Sequence, residues 1–166
     1  MTGKIGSAIT AKTVQRMVAP TGVNSSLASL TQPGQPAAVP LAATQILSQN
    51  VAADLVERTT AVQYPALYVY CEKLVNSLVE KFRSFSGTAQ MAIEVRHSQD
   101  RLDGLQSTVE TYAGAVTQIL DQSRGDWSDG MYYAGGYQVS FGAAKHGGKH
   151  FTQTAKVTFE IGVSTS

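Results

Sequence analysis

Thr88-Ala89-Gln90-Met91-Ala92-Ile93-Glu94-Val95-Arg96-His97 decides the fold. Ala89, Met91, Ile93 and Val95 alternate with Thr88, Gln90, Glu94 and Arg96. Period-2 alternation predicts a strand with one buried face. Leu102, Leu105, Val109, Tyr112, Ala113, Val116, Ile119 and Leu120 then recur at steps of three and four. That stripe predicts one long amphipathic helix over residues 101–124. Asp100 suits its N-cap, with Asp103 favouring the positive dipole end. Arg124 and Gly125 form a stop signal. Gly104 and Gly114 fall inside the predicted helix at about 1 kcal/mol each relative to alanine, which implies close backbone approach to a sheet. Ser84–Gly125 is thus a strand and a helix able to bury each other.

Outward from this unit, Phe151, Ala155, Val157, Phe159, Ile161 and Val163 alternate with Thr152, Thr154, Lys156, Thr158 and Glu160. They predict a closing strand. Residues 131–141 predict another, bent at Gly135-Gly136, and the glycine-rich loop from Gly142 to Lys149 joins the two as a long hairpin. Asp126-Trp127-Ser128-Asp129-Gly130 is a turn. Tyr64-Pro65-Ala66-Leu67-Tyr68-Val69-Tyr70-Cys71 is apolar on both sides and predicts a strand covered on both faces. Residues 72–85 have helical spacing and predict a short helix, with a continued strand as the alternative.

The first sixty residues differ in character. Residues 4–18 predict a short helix stopped by Pro20 and Gly22. Residues 20–40 are rich in Pro, Gly, Ser and Gln and predict an extended arm or linker. Leu47, Val51 and Leu55 lie four apart and predict a helix over residues 41–58, begun after Pro40. The expected architecture is α+β: a mainly antiparallel sheet of about four strands packed on one long helix, with a helical and extended N-terminal arm. The expected division is residues 1–60 for helices and arm and residues 61–166 for the α+β domain. The polar sheet face, bearing Thr, Gln, Glu, Arg and Lys, is expected to meet water or a polar partner.

At 166 residues the chain can bury a sizeable core. One cysteine allows no intrachain disulfide. Thirteen Lys and Arg against twelve Asp and Glu give no global field for nucleic acid or membrane. No apolar run approaches a membrane span, and the first residues lack the apolar core of a secretion signal. Charged residues make up only 15% of the chain, below the usual quarter, which suggests surface covered by neighbours. Residues 1–50 carry Lys4, Lys12 and Arg16 and no acid, so the arm is mildly basic.

No catalytic constellation emerges. Cys71 sits among apolar neighbours without a basic partner and reads as a buried structural cysteine. His146 and His150 are four apart, but they flank Gly147-Gly148 in a loop rather than a helix turn. No third zinc ligand lies nearby. Gly147-Gly148-Lys149 leads into a strand, whereas a phosphate-binding loop leads into a helix. Asp126 and Asp129 read as turn residues, and Asp54 with Glu57 as helix-surface acids. Asn24-Ser25-Ser26 matches a glycosylation sequon that has no meaning without export. No cofactor is expected.

The order helix, strand (Tyr64–Cys71), strand (Thr88–His97), long helix (Arg101–Arg124), strand (Met131–Phe141), strand (Phe151–Val163) resembles the tail terminator, or tail completion, proteins of long-tailed bacteriophages. The resemblance covers residues 60–166. Ile93-Glu94-Val95-Arg96-His97-Ser98 before the helix and Lys156-Val157-Thr158-Phe159-Glu160-Ile161 as closing strand carry it. It implies a non-enzymatic virion protein, assembled in the host cytoplasm. It further implies a hexameric ring on the tail tube, bound to the tube protein and the head-side connector, with DNA passing through. The alternative is another neck, head-completion or sheath-end cap protein. A small enzyme built on Cys71 or on His146 and His150 is the third reading. The hairpin tip and the arm are the expected contact surfaces for neighbours or, nonspecifically, for DNA. Their charged residues are Lys145, His146, Lys149, His150, Lys4, Lys12 and Arg16.

Overall fold

The computed structural model describes residues 4–34, 38–53, 55, 62–147 and 150–166. In chain order the described elements are α1 (Ile5–Val18), α2 (Val23–Leu30), a 3-10 turn (Ala43–Gln45), β1 (Ile46–Leu47), β2 (Ala66–Asn76) and β3 (Phe85–Gln99). They continue with α3 (Leu105–Gln122), β4 (Gly125–Ser128), β5 (Met131–Tyr133), β6 (Gln138–Phe141), β7 (Lys145–Gly147) and β8 (His150–Thr165). The class is α+β. The sheet, however, has eight described strands rather than about four, and it is mixed rather than mainly antiparallel. Its path runs β1-β2-β3-β8-β5-β4, with β6 and β7 also pairing β8. β1 joins β2 in parallel, and the other pairings are antiparallel.

β3 and β8 are the spine. They pair without a break from Phe85↔Thr165 to Gln99↔Phe151. Alternation then places Ala89, Met91, Ile93 and Val95 beside Ile161, Phe159, Val157 and Ala155 on one face, all buried. α3 covers that face with Val109, Tyr112, Ala113, Val116, Ile119 and Leu120. Each such aliphatic side chain contributes about 1.5–3 kcal/mol on full burial. Trp127, Tyr133 and Phe159 close the far end in tilted and edge-on contacts, with centroids 5.6–6.2 Å apart.

One long helix is not the whole cover. Ile5, Ile9, Met17, Val23, Leu27, Leu41 and Ile46 belong to the same hydrophobic core, so the core draws on both sides of the residue-60 boundary. α1 arises as predicted, because Ile5, Ile9, Thr13 and Met17 recur every four residues and are all buried. Within residues 20–40, where a linker was expected, α2 buries Val23, Ser26 and Leu27 and packs on α3. Gly22 permits the tight α1–α2 turn: a Cβ there would strike the carbonyl oxygens of Met17, Arg16 and Ala19. Asn24 clamps the chain after α2, accepting from Leu41 N at 2.7 Å and donating to Leu41 O at 2.8 Å. The Tyr112 hydroxyl donates to Val39 O at 2.6 Å.

The expected helix over 41–58 gives way to the 3-10 turn and β1 over its first part. Ile46 and Leu47 pair with Leu67 and Tyr68, and strand pairing overrides the helical spacing. Residues 54 and 56–58 of that expected helix, with Asp54 and Glu57, lie outside the described residues. β2 runs on to Asn76, so a continued strand and then a loop up to β3 replace the short helix expected over 72–85. α3 starts at Leu105, with Gly104 as its N-cap in the left-handed region at φ +80° and no side-chain cap. Asp100 and Asp103 are exposed and uninvolved in that cap. Gly114 faces Leu30 of α2, not the sheet. The strand expected over 131–141 splits into β5 and β6 at Gly135 and Gly136, both at positive φ.

Candidate functional site

The basic residues of the N-terminal segment come first. Lys12 Nζ lies 3.0 Å from Asp129 Oδ2, and the Arg16 guanidinium stacks 4.3 Å from the Trp127 ring centre. Burial pulls the Arg16 pKa below its ordinary value. Both cations fasten α1 to the β4–β5 hairpin, so neither belongs to an open basic surface. Lys4 stands exposed just ahead of α1.

At the hairpin tip Lys145, His146 and His150 are exposed; Lys149 lies outside the described residues. The expected loop is partly strand, with His146 opposite Phe151 and Gly147 opposite His150. Successive registers face opposite sides of a sheet, so the two imidazoles diverge. His146 packs edge-on against Phe151 at 5.1 Å. Among the described residues no group of three or more His, Cys, Asp or Glu is placed to hold a metal.

Cys71 is half-buried on the core side of β2, against Gly6 of α1. Burial pushes its thiol pKa up; a hydrogen bond with the Lys73 backbone opposes this, and the Glu72 charge adds to it. A thiol held protonated this way is a poor nucleophile. Asp126 Oδ1 accepts from Ser128 N at 2.8 Å within the β4–β5 turn, and Asp129 is the partner of Lys12. Neither carboxylate is paired for acid–base work.

No family model and no curated protein matches this sequence.

Two features went unread in the sequence. The first is on the sheet face away from α3. Glu94 and Arg96 were expected to meet water or a partner there, yet Arg96 is only 4% exposed. Its Nη2 lies 3.3 Å from Glu94 Oε2 and donates to Val51 O. Glu94 in turn accepts from the Tyr70 hydroxyl at 2.7 Å. Burial, and then Glu94, raise the Tyr70 pKa. Further along the face Glu72 pairs with Lys156 and accepts from Gln90. Arg96 Nε and Nη1 are buried without a hydrogen-bond partner among the described residues, so the network is closed over by the chain but only partly satisfied. Its sequence signal was the doubly apolar character of Leu67–Tyr70, which already implied a cover on both faces.

The second feature is the β2–β3 connection. Leu78, Val79 and Phe82 are exposed there, Phe82 completely. Both Leu78 and Phe82 hold positive φ, at 48° and 74°. Bulky L-residues rarely adopt that region. Their apolar spacing in sequence was read as a helix face, because a helix is the commonest way to hide such residues.

Proposed function

We propose that this chain is a structural subunit of a bacteriophage tail. In this reading copies assemble into a ring, a hexamer, at the end of the tail tube. The ring contacts the tube protein on one side and the head-side connector on the other, and leaves a channel through which DNA passes. The protein acts by shape and contact, without a reaction, and its place is the virion after assembly in the host cytoplasm.

The observation that carries the reading is the β2–β3 loop. An exposed cluster of Leu78, Val79 and Phe82, held in a strained and hydrogen-bonded loop, has no use inside its own domain. Exposed apolar clusters of this kind mark sites of association. The hairpin tip with Lys145, His146 and His150 offers a second, polar contact away from the core, suited to salt-sensitive contact with phosphates. The element order over residues 60–166 and the low charge content support the same reading.

Light scattering and negative-stain microscopy test it, on the protein alone and with tube or connector protein added. Six-fold rings with a central opening, binding the tube end, are expected. A chain that stays monomeric and joins neither partner sinks the reading. Capture by the portal-side complex alone would move the protein to the neck.

A further inference from the structure

The loop from Ser77 to Ser84 is braced from within. Asn76 Oδ1 accepts from Leu78 N at 3.3 Å and from Ser86 N at 3.0 Å, while its Nδ2 donates to Ser84 O at 3.0 Å. Ser86 Oγ accepts from Glu80 N at 2.9 Å, and Ser86 O accepts from Ser77 N at 3.1 Å. Asn76 and Ser86 thus hold both ends of the loop and its middle. Left-handed backbone at Leu78 and Phe82 is disfavoured for side chains of this kind, and these bonds hold it. The result is a Phe82 side chain that meets only solvent. An aromatic anchor on a backbone already held in place loses little backbone freedom on binding.

The same chain carries a recess lined by aromatic and polar side chains together. On the sheet face opposite α3 a concavity of about 650 Å³ lies between β3, β8 and the bend after β5. Gln90, Tyr132, Gly135, Gly136, Glu160 and Gly162 shape it. Gly162 sits directly opposite Tyr132 in the ladder and offers no side chain. A Cβ on Gly136 would meet nothing. The exposed Tyr132 ring therefore borders space left open by glycines, with the exposed Glu160 beside it. Neither Glu160 nor Lys81 makes an ion pair among the described residues.

We propose that Phe82 of one copy seats in the Tyr132–Gly162 concavity of the next copy, with Lys81 reaching Glu160. The inference rests on the ring reading and names its contact. Charge selects the occupant: an apolar tip with a free cation meets an aromatic recess with a free carboxylate. Each copy gives its loop to one neighbour and receives another neighbour's loop in its recess, so the proposed contact is head-to-tail. Contacts of that type close into rings or continue into filaments, whereas a two-fold dimer would need one self-complementary patch.

Full-length protein is followed by native mass spectrometry and light scattering over a concentration series. Phe82→Asp and Tyr132→Ala are each expected to weaken association by roughly ten-fold or more, with unchanged circular dichroism, since both side chains are exposed. Lys81→Glu and Glu160→Lys each weaken it alone. Mixing these two single variants restores it, because every contact in an alternating assembly then joins opposite charges. In a Cys71→Ser background, Phe82→Cys with Tyr132→Cys forms an intermolecular disulfide on oxidation. Rings that survive Phe82→Asp, with no effect of the charge variants, overturn this contact and leave the ring reading standing. Wild-type protein that stays monomeric at every concentration, alone and with tube or connector protein added, overturns both. Phe82-dependent binding to anionic phospholipid vesicles, without self-association, assigns the loop to a membrane surface and overturns the inference.

Discussion

The Arg96 guanidinium lies 4.1 Å from the centre of the Tyr68 ring, and both side chains are buried on the sheet face that does not carry α3. The cation is held by three different groups: a π face, the Glu94 carboxylate and the Val51 carbonyl. The face written in the sequence as polar is therefore, at this end, a second interior.

Removing Arg96 tests that statement. Arg96→Ala strands Glu94 beside Tyr70 and leaves Tyr68 uncovered. Loss of one partner from a buried pair costs about 3 kcal/mol, or roughly 6–12 °C in Tm for a chain of this size. The double variant Glu94→Gln with Arg96→Met should recover part of the loss, because no carboxylate is left unpaired. Thermal unfolding checks both; an Arg96→Ala protein as stable as wild type would mean the network contributes nothing.

His97 should make stability pH-dependent. Burial lowers its pKa from 6.5, and the hydrogen bond to Gln99 only partly opposes this. Gln99 Nε2 donates to Arg101 O and Asp103 O, so its Oε1 faces the imidazole and His97 Nε2 donates to it at 3.2 Å. The unfolded chain then binds the extra proton first. Stability is fully present above the ordinary histidine range, falls as pH drops through it, and flattens below the folded pKa. Denaturant unfolding of wild type and His97→Gln between pH 7.5 and about pH 5 should converge as pH falls. Parallel curves would show that His97 titrates alike in both states.

Asn24→Ala removes both hydrogen bonds to Leu41 and so frees the chain that returns to β1. A loss of about 1–2 kcal/mol is expected. It should appear as a lower urea midpoint with an unchanged slope. A changed slope would instead report that α2 has come away from α3.

Cys71 should react slowly. Its thiol is half-buried against Gly6 and its pKa is raised by burial. Alkylation of the native protein at about pH 8 is expected to run several-fold slower than that of a free thiol near its ordinary pKa, and to speed up in denaturant. Cys71→Ala should cost under about 1.5 kcal/mol. Rapid native labelling would overturn the buried reading and reopen a chemical role.

What could be read from the chain alone divides along a physical line. Residues 88–97 and 151–163 alternate cleanly because each strand has one face on α3, and residues 105–120 show a single stripe because α3 has one side on the sheet. Local period is enough where one face of an element carries most of its burial. The spacing of Ile46-Leu47 toward Val51 and Leu55 is helical, while its strand state depends on Leu67 and Tyr68, twenty-one residues on. Val23, Ser26, Leu27 and Leu30 carried a helical signal hidden in a Pro- and Ser-rich composition. The candidate surfaces were legible only in part. The exposed hairpin tip was, but Lys12 and Arg16 were not, because their partners Asp129 and Trp127 lie more than a hundred residues away.

The sequence by itself determined the α+β class, the two long strands and the helix between them, since periodicity and residue type are local properties. Only the tertiary structure decided which charges are free. Whether Arg96 or Arg16 faces water depends on what the chain lays over it, and whether Phe82 does depends on backbone angles held by Asn76 and Ser86. Pairing and burial are settled by contacts between distant residues, which no local period records.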